Sequence, residues 1–114
     1  MTTKLSITNG QRAAWQRRAA TVLVQILDAN GDLPLLAWTV GNAGSTLVGR
    51  INAQATAVQA TAVFNTWQQA LALGERTETP GGAGRMFLRA SAMRGAVRIT
   101  ITATVVDDDG EDRR

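Results

Sequence analysis

The clearest hydrophobic pattern lies in Arg85–Val106, "RMFLRASAMRGAVRITITATVV", where apolar and polar residues alternate through two runs separated by a glycine. A period of two marks strands with one buried face. A two-residue turn at Arg94-Gly95 pairs Ala92 with Val97, Ala90 with Ile99, Leu88 with Ile101 and Met86 with Ala103, all of them apolar. The intervening positions then pair Ser91 with Arg98, Arg89 with Thr100, Phe87 with Thr102 and Arg85 with Thr104. A slip of one residue would exchange the two faces, so the alternation predicts a hairpin with one greasy and one polar side.

Helical spacing appears earlier. From Thr8 or Asn9, either of which can cap a helix, to about Asp28, the residues Trp15, Ala19, Val22, Leu23, Ile26 and Leu27 share one face. Arg17, Arg18, Thr21, Gln25 and Asp28 occupy the other, and Asn30–Asp32 with Pro34 end the helix. Residues 1–8 read as a loose arm or short strand, with Leu5 and Ile7 alternating. "LPLLAWTV", "GNAG" and "STLVGRI" read as a hairpin with its loop at Gly41–Gly44. Val40 then faces Ser45, Trp38 faces Leu47 and Leu36 faces Gly49, a glycine leaving room for a bulky neighbour. Asn52 can cap a second helix from Ala53 to about Leu73, stopped by Gly74, with Ala53, Ala60, Val63, Phe64, Trp67 and Leu71 as its apolar stripe. "ERTETPGGAGR" reads as a loop, with at most a short strand before Pro80.

The order is α-β-β-α-β-β. It predicts an α+β two-layer sandwich, a four-stranded antiparallel sheet with two helices on one face and the other face open. Residues 1–106 form one domain in this reading and 107–114 an acidic flexible tail.

Composition narrows the chemistry. With 114 residues, 45% of them hydrophobic, the chain can build one core without staples. It has no cysteine and no histidine, which removes disulfides, thiolate nucleophiles, zinc–thiolate sites and the commonest general base. No apolar run approaches ~20 residues and the first dozen lack a signal-peptide core, so neither membrane span nor export is expected, and a cytoplasmic location is. Twelve bases and nine acids give +3, unevenly spread. The final "DDDGEDRR" holds five acids and two arginines, leaving ten bases and four acids, or +6, in residues 1–106. Eleven of the twelve bases are arginine, suited to planar, bidentate pairing with phosphate or carboxylate.

Glycine-rich stretches raise the question of nucleotide binding. "TVGNAGSTLVGR" at Thr39–Arg50 has the look of a phosphate loop, yet no lysine follows Gly44 and the next segment is β-patterned, so it reads as a turn. "GGAGR" at Gly81–Arg85 reads as a loop entering a strand, with an anion nest beside Arg85 as the alternative. "DDDGED" falls short of a calcium loop, because Val105 stands where the first ligand belongs. Outside the tail the acids are Asp28, Asp32, Glu75 and Glu78, on two separate loops. Ser6, Ser45 and Ser91 have no histidine partner, and the single lysine, Lys4, sits in the terminal arm. No catalytic residue, metal site or cofactor is expected, and the chain does not read as an enzyme. Trp15, Trp38 and Trp67 fall one to an element, each on an apolar face, as core anchors.

Two surfaces remain. On the outer face of the final hairpin Arg85, Phe87, Arg89 and Arg98 stand among Ser91, Thr100, Thr102 and Thr104. An aromatic flanked by arginines on an open sheet suits single-stranded nucleic acid, the ring stacking on a base and the arginines meeting phosphates. A solvated Thr/Arg face with its phenylalanine covered by a neighbouring loop or subunit is the plainer reading. The second surface belongs to Ile51–Gly74, 24 residues without a charge. Its outward side carries Gln54, Val58, Thr61, Ala62, Asn65, Gln69 and Leu73. Interface cores are depleted of charge, which suits a helix lying against another subunit or a partner protein.

"LPLLAWTVGNAGSTLVGRI", "AVFNTWQQALAL" and "RGAVRITITATVVDDD" together resemble small uncharacterised actinobacterial proteins, some carried on phages and integrative plasmids. The resemblance spans about residues 33–109 and rests on a turn, a core tryptophan and a strand. It implies an accessory protein of a mobile element and carries no functional residues. The leading expectation is therefore a non-enzymatic binding module working through protein–protein contact and self-association, as a homodimer or larger homo-oligomer. Nucleic-acid binding through Arg85, Phe87, Arg89 and Arg98, helped by Arg17 and Arg18, is the alternative.

Overall fold

A computed structural model of the chain describes residues 8–41, 44–51 and 56–106. The arm at 1–7, the cap Asn52, the helix start at Ala53 and the acidic tail expected above lie outside the described residues. The elements run α1 (Asn9–Ala29), β1 (Ala37–Val40), β2 (Thr46–Arg50), α2 (Ala57–Ala70), β3 (Thr77–Gly82), β4 (Arg85–Arg94) and β5 (Val97–Val106). Both helices begin with a reciprocal capping box. Thr8 Oγ1 accepts from the Gln11 amide while Gln11 Oε1 accepts from the Thr8 amide, and Thr56 and Gln59 repeat the arrangement. The sequence signature is Thr-x-x-Gln, and at Thr56 it starts the described helix four residues beyond the expected cap at Asn52.

The protein is α+β, but its sheet has five strands and is mixed. The order is β1-β2-β5-β4-β3, with β2 parallel to β5 and every other pair antiparallel. The expected four-stranded antiparallel sheet is corrected by one missing element. Thr77–Gly82, read as a loop with at most a short strand before Pro80, is an edge strand that runs through Pro80 and is paired to β4, with an irregularity between Pro80 and Gly82. An edge position tolerates proline and a bulge. Each hairpin turn reverses the chain, so one further strand before β4 inverts the direction of β5 relative to β2.

Both expected hairpins form with a register two residues from the expected one. Gly95-Ala96 is the β4–β5 turn, so Arg94 pairs with Val97, Ala92 with Ile99 and Leu88 with Ala103. Gly95 has a φ of 61° and occupies the first central position, where a tight turn of the II′ kind needs glycine. In β1–β2, Val40 faces Leu47 and Trp38 faces Gly49, and the Gly41 amide donates to the Thr46 carbonyl at 2.9 Å. A shift of two keeps every side chain on its expected face.

The helices cover one face of the sheet. Ala19, Val22 and Ile26 of α1 and Ala60, Phe64 and Trp67 of α2 are buried with Leu47, Leu88, Ala90, Val97, Ile99, Ile101 and Ala103. Trp67 stands edge-on to the half-buried Trp38, with centroids 5.8 Å apart, while the third tryptophan, Trp15, is half-buried and outside this cluster. At the β2–β5 seam there is no room for a side chain on Gly49. A β-carbon there would lie 2.8 Å from Ile101 Cδ1, 2.9 Å from Leu36 Cδ1 and 3.1 Å from Trp38 Cη2.

Helix α2 ends differently from the expected stop at Gly74. Ala72 takes the left-handed conformation (φ 53°), its amide donating to the Gln69 carbonyl and that of Leu73 to the Gln68 carbonyl at 2.9 Å. This is a Schellman closure with alanine where glycine is usual. Gly74 instead donates its amide to Ser91 of β4. Ala72→Gly is expected to stabilise the fold by about 0.5–1 kcal/mol by removing a Cβ clash. Gly49→Val is expected to cost about 1–3 kcal/mol by overpacking the seam. Urea unfolding of the two variants against the parent checks both, and an unchanged midpoint for Gly49→Val would contradict the close approach.

Candidate nucleic-acid interface

Strand alternation dictates what the uncovered sheet face carries. On β4 the outward residues are Arg85, Phe87, Arg89, Ser91 and Met93; on β5 they are Arg98, Thr100, Thr102, Thr104 and Val106. Pairing with β2 adds Thr46, Val48 and Arg50, and pairing with β3 adds Thr77 and Thr79. The register sets these side chains in rows across the sheet. One row reads Arg50, Thr102, Arg89, Thr77; the next on one side reads Val48, Thr100, Ser91, and on the other Thr104, Phe87, Thr79. Arg50 and Arg89 therefore stand two strands apart, about 10 Å.

All four arginines of this face, Arg50, Arg85, Arg89 and Arg98, are exposed. None of the described carboxylates lies on it: Glu78 pairs across to Leu88, on the helix side, and binds Arg76 at 2.9 Å. Among the described residues that is the ion pair present, so no described carboxylate meets these four guanidiniums. Thr100, at the centre, is 4% exposed and shares a 2.8 Å hydrogen bond with Ser91 between their hydroxyls. That bond satisfies the buried Thr100 hydroxyl.

Phe87 is 42% exposed, with its ring leaning onto Gly81 of the edge strand. A β-carbon on Gly81 would run into the ring at Cε2 and Cζ. The glycine is thus a seat for the phenylalanine, an aromatic laid over a strand glycine. One part of the ring is fixed by β3 and the rest remains open, which is a platform geometry. "GGAGR" itself is the tight β3–β4 turn, with Ala83 and Gly84 both left-handed (φ 55° and 76°), as a type I′ hairpin requires. The loop expected there is corrected to a strand and turn.

Sequence reasoning placed Arg85, Phe87, Arg89 and Arg98 together, and the sheet brings them together. It missed Arg50. Alternation along β2 already puts Arg50 opposite Leu47, but only the strand order makes β2 a neighbour of β5. Arg17 and Arg18 do not join this face. They sit on α1, in the helical layer, where Arg18 Nη1 donates to Ser45 Oγ at 3.2 Å.

The second expected surface is less uniform. On α2, Val58 is 80% exposed and Ala62 and Gln69 are exposed, whereas Thr61 is half-buried and Gln54 lies outside the described residues. Asn65 Oδ1 accepts from Arg76 Nη1 at 3.1 Å, and that guanidinium also lies 6.0 Å from the Phe64 ring centroid. Asn65 itself stays exposed while bonded to Arg76. At the far end of the helical layer, a cleft of about 330 Å³ is lined chiefly by Leu27, Leu33, Leu35, Leu36, Trp38 and Trp67. Trp67 Nε1 donates to the Pro34 carbonyl at 2.9 Å, while Trp38 Nε1 is buried without a partner.

Among the described residues no group of three or more acidic side chains is placed to hold a metal ion, and no helix is long and apolar enough to cross a membrane. Compared with known proteins, the chain matches no family model and no curated sequence.

The seat of the phenylalanine gives a testable coupling. Gly81→Val should cost about 1–2 kcal/mol by dislodging the ring, and most of that cost should disappear in a Phe87→Ala background. A double-mutant cycle of unfolding free energies checks this; additive penalties would mean that the two residues do not share the site.

Proposed function

We propose that the chain is a binding module whose open sheet face takes a single-stranded nucleic acid. The observation that carries this is the set Arg50, Arg85, Arg89 and Arg98, exposed on one face with a half-exposed Phe87 and no described carboxylate among them. Arginines at fixed register can meet successive phosphates, and a seated aromatic offers a base a stacking surface without reading its identity. The face is the surface of a five-stranded sheet and presents neither a helix nor a lone two-stranded ribbon, so it does not suit the grooves of a duplex. Binding of this kind is governed by charge and sequence-tolerant.

A second reading is favoured by Val58, an exposed valine on a helix that carries no charge. In it α2 docks on a partner protein or a second copy of the chain, which would leave the sheet face free. An accessory role in a mobile element is compatible with either surface.

The test is binding of short labelled single- and double-stranded oligonucleotides across a salt series. Four phosphate contacts on a single strand give a slope of about −3 in log affinity against log salt. Arg89→Ala or Arg50→Ala should weaken binding and flatten the slope by about 0.7 each. Phe87→Ala should weaken binding and leave the slope unchanged, because stacking releases no counterion. Absence of binding at low salt, or a slope indifferent to the arginines, would sink this reading and turn attention to the Val58 face.

A further inference from the structure

Resting on that reading of the sheet face, we infer that the chain carries its own competitor: the acidic segment Asp107–Asp112 docks on the Arg85, Arg89 and Arg50 side of the face. Three observations converge. The face holds four exposed arginines and no described carboxylate. The acids that could balance them are concentrated in "DDDGED", five carboxylates in six residues. The strand that leads into this segment is β5, the middle of the sheet, and its last residue, Val106, is paired with Arg85.

Reach decides which arginines are involved. An extended residue advances ~3.3 Å, and six of them span at most ~20 Å. Arg85 stands beside Val106, and Arg89 and Arg50 flank Thr102, four residues back along β5, about 13 Å away. Arg98 is eight residues back, about 26 Å. A segment returning over the face from Val106 therefore reaches three of the four arginines and falls short of Arg98. Each contact is an exposed ion pair, weak and salt-screened, so the segment yields to a polyanion that engages all four arginines together.

The experiment compares the full chain with a variant in which Asp107, Asp108, Asp109 and Asp112 become Asn and Glu111 becomes Gln. Without any ligand, the side-chain Nε–Hε resonances of Arg50, Arg85 and Arg89 are expected to differ between the two proteins at low salt. Arg98 should stay fixed, and the differences should fade as salt rises. No difference at the three, or an equal shift of all four, would overturn the docking. Differences that grow with protein concentration would assign the contact to a second copy and overturn it as an intramolecular one. For a labelled single-stranded oligonucleotide the neutralised variant should bind roughly fivefold tighter at low salt. Equal affinities would overturn the competition. If neither protein binds the oligonucleotide, the nucleic-acid reading fails, and the arginine resonances decide the docking by themselves.

Discussion

Strand β5 is the constraint on which the rest of the molecule depends. It is flanked on both sides, parallel to β2 and antiparallel to β4, and it separates the two surfaces of the sheet. Its Val97, Ile99, Ile101 and Ala103 are buried beneath the helices, and its Arg98, Thr100, Thr102 and Thr104 face the other way. A displacement by one residue would put arginine and threonine under Phe64 and Trp67 and isoleucine on the open face. The β2 side of the seam permits little adjustment, because Gly49 is packed by Ile101, Leu36 and Trp38 at once. Core and candidate binding face are in this sense one pattern read from two sides.

The faces were legible in the sequence and the strand directions were not. Alternation in "RMFLRASAM" and "VRITITATVV" assigns each residue to a side, and an error of two in both hairpin registers left those assignments intact. Register depended on turn chemistry. Gly95 belongs at the first central position of its turn, and placing it second moved the pairing by two. Direction failed for another reason. Pro80, Gly81 and Gly82 are turn residues by propensity, yet here they sit in an edge strand, where a missing amide and a missing side chain are tolerated, and Gly81 is needed beneath Phe87. One strand left out of the element order was enough to turn a parallel neighbour into an antiparallel one. Arg50 followed the same fate: its side was legible, its neighbours were not. Asn65 was placed on an outward helix face and is exposed there, and only the structure reveals its hydrogen bond from Arg76.

Both layers carry exposed arginines, Arg12, Arg17 and Arg18 on α1 among them, and they differ in how that charge is arranged. On the helical side the charge of Arg76 is met by Glu78 and Asn65 and lies near the ring of Phe64. On the sheet side Arg50 and Arg89 share one row with Thr102 between them, and Arg85 and Arg98 lie on the same face, where their potentials add. Arrangements of this kind repel one another in the folded state and are relieved by anions. That cost is modest for exposed arginines, and on the proposed reading it would favour polyanionic partners over neutral ones.

The most direct test of this account is a residue-by-residue map of backbone amide shifts as a short single-stranded oligonucleotide is titrated into the protein. The account predicts that the perturbed amides cluster around the outward positions of three adjacent strands, Arg50, Thr102, Arg89 and Phe87, with those of α1 and α2 unmoved. Perturbations centred on α2 near Val58, or a spectrum that does not change, would contradict it.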